Sequence, residues 1–396
     1  MLRWFQQVIA VTAYSVRSVP QRFGSVAAAM FGVAGVVAVL VGVLSIAAGF
    51  RATMTAGSDE NAVIVVRSGS TSELVSGLGR GDVNIVGETP GVLRDAEGEL
   101  SSPELSLILN LPRRSTDNDS NVPMRGVEEE AFRVRDHLTI VQGRMFEWGR
   151  AEVIVGVGAA NQFAGLDLGG TLEVAGQPWD VVGVFEADGG LEESEIWSDA
   201  RLLQAVYRRG DSFQSVYAKL ESPATFASFR NELDTDPRVN VTVARRAEFY
   251  AGQSTLVTGL VTGVGGLIAA LMGLGAVFGA LNTMYTSVSS RTREIATLRA
   301  LGFGAGPILL AVLAEAVLLA IVGGSAGALV AWLAFDGYKA ATMNLQSFSQ
   351  VAFAFDVTPT LLVQGVMYAT SIGFVGGLFP AVRAARLPIA AALRDV

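Results

Sequence analysis

Four stretches of this sequence stay uncharged and apolar for long enough to cross a lipid bilayer, while the residues between the first and second alternate on the shorter scale of a folded domain. Arg22 and Arg51 bracket 28 uncharged residues, and the apolar part, Val26 to Phe50, reaches about 37 Å at ~1.5 Å rise per residue. A second uncharged stretch runs from Phe249 to Ser290, with an apolar core from Leu256 to Tyr285. The third, Pro307 to Phe335, is interrupted only by Glu315, and the fourth runs from Val357 to Val382. The first run exceeds the roughly 7 to 15 apolar residues of a cleaved signal peptide, so it is expected to stay as a membrane helix.

Charge separates the same regions. Residues 51–254 hold 32 acids and 19 bases, whereas the rest of the 396-residue chain shares 15 charges. A surface that faces water cannot be that poor in charge, so the predicted fold class is an integral membrane protein with four transmembrane α-helices, one before and three after a large inserted α+β domain. The segments 1–24, 284–306 and 381–396 carry three arginines each and together only the acids Glu294 and Asp395. The excess of bases beside short loops puts these segments in the cytoplasm and the acidic domain outside it.

The domain boundaries that follow are 1–24 for a cytoplasmic amphipathic interfacial helix, 25–50 for the first transmembrane helix and 51–254 for the extracytoplasmic domain, in two subdomains. Next come 255–285 for the second transmembrane helix with its stalk, 286–306 for a cytoplasmic coupling helix and 307–336 for the third transmembrane helix. The rest divides into a short extracytoplasmic loop at 337–356, the fourth transmembrane helix at 357–380 and a cytoplasmic tail at 381–396. In the first segment Leu2, Phe5, Ile9, Ala13 and Val16 share a stripe, and Pro20 breaks the helix. In the domain, strands are expected at 61–66, 153–157, 171–175, 180–185 and 214–220, with a hairpin turn at Gly176-Gln177-Pro178, and helices at 199–209 and 223–234. Ser101 to Asn121 reads as an irregular loop or a subdomain junction. Glu128-Glu129-Glu130 reads as a solvated acidic face.

Composition removes whole classes of chemistry. Without cysteine there is no disulfide, thiolate nucleophile or cysteine-ligated metal, and the single His137 cannot form a two-histidine metal site. No catalytic residues, metal site or nucleic-acid partner are expected. The two lysines, Lys219 and Lys339, follow Ala218 and Tyr338, so the chain has no Gly-Lys-Ser/Thr phosphate loop. Gly323-Gly-Ser-Ala-Gly327 fits a nucleophile-elbow pattern, but it lies inside an apolar helix with no strand before it. The membrane stretches contain glycine pairs at i, i+4, namely Gly259/Gly263, Gly275/Gly279, Gly323/Gly327 and Gly373/Gly377. Such pairs let helix backbones approach in lipid, and all eight are expected at helix contacts.

Residues 287–302 form a short charged helix, capped by Ser287 or Ser290 and ended by Gly302. Ile295, Leu298 and Leu301 fall on one face, and Arg291, Arg293, Glu294 and Arg299 elsewhere. A bare topogenic loop needs the arginines but not the apolar stripe. Glu315, the one ionisable residue well inside a membrane stretch, is a functional candidate, expected either to pair with a nearby arginine or to reach water at the interface.

The pattern Asn282-Thr-Met, Arg291-Thr-Arg-Glu294-Ile295 and Leu298-Arg299-Ala300-Leu301-Gly302 resembles the signature of the FtsX-like/MacB-like permeases of ATP-binding cassette (ABC) transporters. Gly143-Arg-Met-Phe146, Val153-Ile-Val-Gly156 and Val181-Val-Gly-Val-Phe185 are similar to the family's periplasmic core. Pro380, Ala384, Ala385, Pro388, Leu393 and Arg394 resemble its tail, with the interval from Pro388 to Leu393 one residue longer than the family's pattern. The resemblance implies a permease subunit in a bacterial inner membrane, with both termini cytoplasmic and no enzyme activity of its own. It also implies a cytoplasmic ABC ATPase dimer carrying the ATP and Mg, a second permease copy, identical or paralogous, and room for a periplasmic adaptor. The ATPase, fused at the amino terminus in some relatives, is expected on a separate chain here. Arg291, Arg293, Glu294, Ile295, Leu298 and Arg299 would meet it. The function implied is mechanotransmission for export or extraction of a peptide, drug-like, lipid or lipoprotein substrate. The alternative is a regulator of a periplasmic cell-wall hydrolase with no transported substrate.

Overall fold

The computed structural model describes residues 2–17, 23–57, 59–344 and 349–389. Pro20, Leu393 and Arg394, and the side chains of Leu2, Phe5 and Val16, lie outside the described set. The chain opens with helices α1 (Leu2–Arg17) and α2 (Phe23–Thr55). The inserted domain begins with β1 (Ala62–Arg67), β2 (Leu78–Gly79), α3 (Arg80–Glu88), β3 (Arg94–Asp95), β4 (Gly98–Glu99), β5 (Ser101–Pro112) and β6 (Asp119–Val127). It continues through α4 (Ala131–Val134), β7 (Thr139–Gly143), β8 (Glu152–Gly156), α5 (Val157–Gln162), β9 (Thr171–Val174), β10 (Gln177–Glu186) and β11 (Ile196–Asp199). Then come α6 (Ala200–Val206), β12 (Ser212–Phe213), β13 (Ser215–Lys219), α7 (Phe226–Thr235) and β14 (Val241–Arg245). The chain proceeds through α8 (Arg246–Ser290), α9 (Thr292–Ala300), α10 (Ala305–Phe335), β15 (Lys339–Asn344), β16 (Ser349–Ala354) and α11 (Pro359–Ala385). The long apolar helices are four among the described residues: Val26–Thr55 within α2, and α8, α10 and α11.

The chain divides into two compact units. One comprises residues 49–259 and 339–354. Its main sheet runs β14-β1-β13-β5-β6-β11-β8-β10-β7, with β9 also on β10. Neighbours are antiparallel except β6 with β11 and β8 with β10. Two large apolar clusters fill this unit. Leu105, Val153, Phe163, Trp179 and Ile196 belong to one, and Val63, Val83, Phe213, Phe229 and Val243 to the other.

Three sequence expectations change here. Ser101 to Asn121 is no loop: β5 and β6 pair from Leu105↔Gly126 to Pro112↔Asp119. The alternation of Leu105, Leu107 and Leu109 puts all three on the buried face, and that period of two outweighs the polar residues between them. The β9–β10 turn centres on Ala175-Gly176, one residue earlier than expected, and both residues have positive φ, +48° and +80°, as a two-residue hairpin turn requires. The segment 337–356 is mostly a hairpin, with β15 paired to β16 from Lys339↔Ala354 to Asn344↔Ser349. It docks on the domain's own residues. The Ala352 amide donates to Ser194 Oγ at 2.9 Å, and Arg113 Nη2 donates to Gln350 Oε1 at 2.8 Å.

The other unit comprises residues 1–48, 260–338 and 355–396. α10 packs closely with α11 and with α1. On α1, Val11 is buried while Ile9 and Ala13 of the predicted stripe are exposed. A Cβ on Gly323 would lie 2.8 Å from the Met30 carbonyl oxygen, and one on Gly327 would meet the Ala34 backbone. Gly373 and Gly377 lie against Ala320 and Ala316 of α10. Gly259, Gly263, Gly275 and Gly279 have open space where a Cβ would go. The eight glycines therefore split: the α10 and α11 pairs sit where a side chain would meet a neighbouring helix, and the α8 pairs sit where it would meet open space. The glycines of α8 that do receive a neighbour are Gly265, against Val43, and Gly273, against Tyr368.

Candidate functional site

The short helix α9 is built into its unit by one face only. α8 stays helical to Ser290, so neither Ser287 nor Ser290 caps α9, and the break between the two helices is Arg291. Arg291 has a non-helical backbone and supplies no side-chain cap. Its guanidinium turns inward: Nη1 lies 3.3 Å from Glu315 Oε2 and Nε 3.2 Å from Glu294 Oε2. Glu315 is 1% exposed, about 15 Å along α10 from its first residue. Of the two expectations for Glu315, the structure shows the arginine pair and not a water-exposed carboxyl.

Ile295 is buried with Met284, Val288, Ile308, Val312, Ala381 and Ala384. At the other end of α9, Arg299 Nη1 donates to the carbonyls of Ala385 and Leu387 at 3.0 and 2.9 Å. The first of these oxygens ends α11 and the second lies two residues beyond, where no later turn can take them up. Gly302 follows at φ +96°, the left-handed turn that lets the chain leave the helix. The six predicted interface residues thus divide by direction. Arg291, Ile295 and Arg299 anchor α9 inward, Leu298 is half-buried, and Arg293 and Glu294 are exposed. Leu301, placed on one apolar face with Ile295 by sequence spacing, is 74% exposed. The outward surface is therefore Arg293, Glu294, Thr297 and Leu301.

The first turns of α8 reach a second polar centre that sequence reasoning missed. Arg125, Arg135 and Arg246 are buried with Glu73, Glu104, Glu192 and Glu195. Arg125 bonds Glu195 at 2.6 and 2.7 Å, Glu104 at 2.7 Å and Glu73 at 2.8 Å. Arg135 pairs with Glu104 and lies 3.4 Å from Glu192, and Arg246 pairs with Glu192. Tyr250, one turn beyond Arg246, donates to Glu73 Oε2 at 2.7 Å, and Trp197 Nε1 donates to Glu195 Oε2 at 2.7 Å.

Burial alone would raise the Glu73 carboxyl, but Arg125 and the hydrogen bonds from Ser215 and Tyr250 bring it down to about 2. For Glu195 burial prevails, helped by the nearby Glu192 and Glu73 carboxylates, and its pKa rises. These opposite shifts fit a centre with four carboxyls and three guanidiniums. No sequence spacing pairs these residues, since Glu73 and Tyr250 lie 177 positions apart. The one local signal is Arg246, one of two charges, with Glu248, in the first turn of a helix that is uncharged from there on.

Comparison with known proteins agrees with this layout. The family model of the MacB-like periplasmic core domain matches residues 26–236, and that of the FtsX-like permease C-terminal region matches residues 266–389. The chain belongs to the MacB-like/FtsX-like permease family. Within the family it is 26% identical over 236 residues to the uncharacterized ABC transporter permease YknZ of Bacillus subtilis, covering 57% of each chain. It is 26% identical over 307 residues to the macrolide export ATP-binding/permease protein MacB of Neisseria gonorrhoeae, covering 70% of this chain and 44% of that protein. With MacB of Hahella chejuensis it shares 26% identity over 416 residues, covering 98% of this chain and 59% of that protein. The chain spans about half the length of the curated relatives it matches.

Among solved structures, the periplasmic region of MacB from Actinobacillus actinomycetemcomitans aligns with TM-score 0.37 and 16% identity, covering 48% of this chain and 92% of that one. The extracellular domain of YknZ aligns with TM-score 0.35 and 18% identity, covering 46% of this chain and all of that domain. This family permease is a membrane protein.

Proposed function

We propose that this chain is the membrane subunit of an ABC transporter and that α9 is where a cytoplasmic ATPase drives it. The observation that carries the reading is the Arg291–Glu315 pair, which ties the start of α9 to the interior of α10 and leaves Arg293, Glu294 and Leu301 facing outward. A helix that only marked membrane topology would need no buried carboxylate partner. Because a buried ion pair tolerates little change in geometry, force on the outward face passes to α10, and through Arg299 to the end of α11.

In this reading the ATPase is a separate chain holding ATP and Mg, and two permease copies, identical or paralogous, meet two ATPase subunits. The arginine-rich segments 1–24 and 381–396 support a reading in which both lie on the cytoplasmic side of a bacterial inner membrane and the acidic domain on the other. Closure of the ATPases on ATP moves α9, and α8, which runs unbroken from Arg246 to Ser290, carries the movement toward the domain. The names of the macrolide export relatives favour a drug-like cargo over a peptide, lipid or lipoprotein one.

Reconstitution of the permease in nanodiscs with its cognate ATPase tests this. The double variant Arg293→Glu/Leu301→Ser is expected to abolish permease-stimulated ATP hydrolysis while membrane insertion and the thermal melt stay unchanged. Normal stimulation by that variant overturns the assignment of the docking face.

A further inference from the structure

We propose that Tyr368 is a positioning residue of the coupling path, whose hydroxyl latches the middle of α8 to α11 and makes the turn from Ala269 to Gly273 the point about which α8 pivots. Tyr368 Oη donates to the Ala269 carbonyl oxygen at 2.8 Å. Inside an α-helix that oxygen also takes the amide four residues on, and its second lone pair accepts the phenol without opening the helix. The ring approaches through a gap in α8: a Cβ on Gly273 would overlap the Tyr368 hydroxyl.

The latch stands at a boundary. Ala269 lies about 35 Å from the first residue of α8 and about 32 Å from the last. From there toward Ser290, α8 and α11 stay together: a Cβ on Gly376 would lie 2.7 Å from Ala280 Cβ, and the Arg383 guanidinium lies 5.5 Å from the Tyr285 ring centroid. In the other direction Leu260, Val264 and Leu267 are exposed, and Gly259 and Gly263 face open space. There α8 meets α2 instead, at Gly265 against Val43.

The surroundings give the hydrogen bond its weight. Met272 and Ala276 of α8 pack with Val366 and Ala369 of α11 and Val37 of α2 in one apolar cluster. A membrane interior has no water to replace a lost bond from hydroxyl to carbonyl, so the tyrosine is a directional tie where a phenylalanine would give packing alone. Gly265, Gly266 and Gly273 lower the helix preference of this stretch and make it the easiest part of α8 to bend. Force at α9 then moves the adjoining half of α8 together with α11, and the half beyond Tyr368 swings. The use of this pivot in coupling rests on the ATPase reading above; the latch itself does not.

The chain has no cysteine, so engineered cysteine pairs can carry spin labels at chosen sites. Val264→Cys/Val363→Cys reports the half of α8 beyond the latch, and Phe278→Cys/Phe374→Cys the half next to α9; all four side chains are exposed. Electron–electron distance measurements on nanodiscs without ATPase should give narrow distributions for both pairs. Tyr368→Phe should broaden the first at least twofold and leave the second unchanged. With the cognate ATPase added, the same substitution should lower stimulated ATP hydrolysis about threefold, which corresponds to one intramembrane hydrogen bond of ~0.6 kcal/mol. Gly273→Ala should broaden the first pair further and lower stimulation at least tenfold, because the added methyl expels the hydroxyl. The double variant Gly273→Ala/Tyr368→Phe should return to the level of Tyr368→Phe, since the hydroxyl is the group that the methyl overlaps most. A general packing defect would not be repaired by a second substitution. An unchanged first pair, equal broadening of both pairs, no recovery in the double variant, or unchanged stimulation in Tyr368→Phe overturns the proposal. A wild-type permease that stimulates no ATPase fails the ATPase reading instead, and the label distances still decide the latch.

Discussion

Arg291 and Glu315 meet at 3.3 Å, although one belongs to the break between two helices and the other to the buried side of a third. Glu315→Ala would take one carboxylate away from a buried guanidinium, and losing one partner of a buried pair costs about 3–5 kcal/mol. Glu315→Gln keeps the shape and removes the charge, so it should weaken stimulated ATP hydrolysis at least tenfold while the chain still inserts. The double variant Arg291→Gln/Glu315→Gln should recover most of the thermal stability without restoring stimulation. Melting curves and ATPase assays on the same nanodisc samples separate the two effects.

Arg299 bonds the last carbonyl of α11 and that of Leu387, two residues beyond it, through a single nitrogen. Lysine carries a compact ammonium on a flexible stem and reproduces that clamp poorly. Arg299→Lys should therefore leave α9 folded but release the α11 end. Hydrogen exchange of amides at residues 384–387 is expected to speed up about tenfold, with α10 unaffected.

The buried charge centre of the domain predicts an acid-sensitive fold. Glu73 is held at about 2 in the folded chain against an ordinary value of 4.5. A carboxyl lowered in this way stabilises the fold above the ordinary value, and the stabilisation disappears as pH falls from 4.5 toward 2. The shift corresponds to about 3 kcal/mol. Glu195 acts in reverse, because its raised value means that its contribution is present at low pH and is lost as pH rises. Acid unfolding followed by tryptophan fluorescence should show a shallower slope between pH 4.5 and 2 in Glu73→Gln. Glu195→Gln should keep that slope.

The glycines give a paired test of packing. Gly327→Val would force a side chain into the Ala34 backbone and push α2 away from α10, an overpacking cost of about 1–3 kcal/mol or more. Gly275→Ala and Gly279→Ala on α8 meet open space and remove a poor helix former, so they should be neutral or slightly stabilising. Melting temperatures of the three variants in one detergent compare the two outcomes directly.

The sequence by itself determined the layout, because membrane crossing depends on long apolar runs and low charge, both local properties. All five expected strands and the existence of a short helix near 292–300 were legible in the same local patterns. Period-two alternation was also present in Leu105, Leu107 and Leu109, where the surrounding polar residues hid it. Spacing could name the charged and apolar positions of α9 but not their direction. Ile295 and Leu301 share a stripe on paper, yet Ile295 packs against α8, α10 and α11 while Leu301 faces outward. Likewise all four glycine pairs look alike as i, i+4 repeats, and only the positions of α2, α10 and α11 decide which of them are contacts. The Arg125–Arg135–Arg246 centre had no local signature, because its charges come together only when strands and the start of α8 are assembled. Which charges become buried, and with whom, is set by three-dimensional neighbours, since the desolvation that makes a pair matter exists only once the chain has folded.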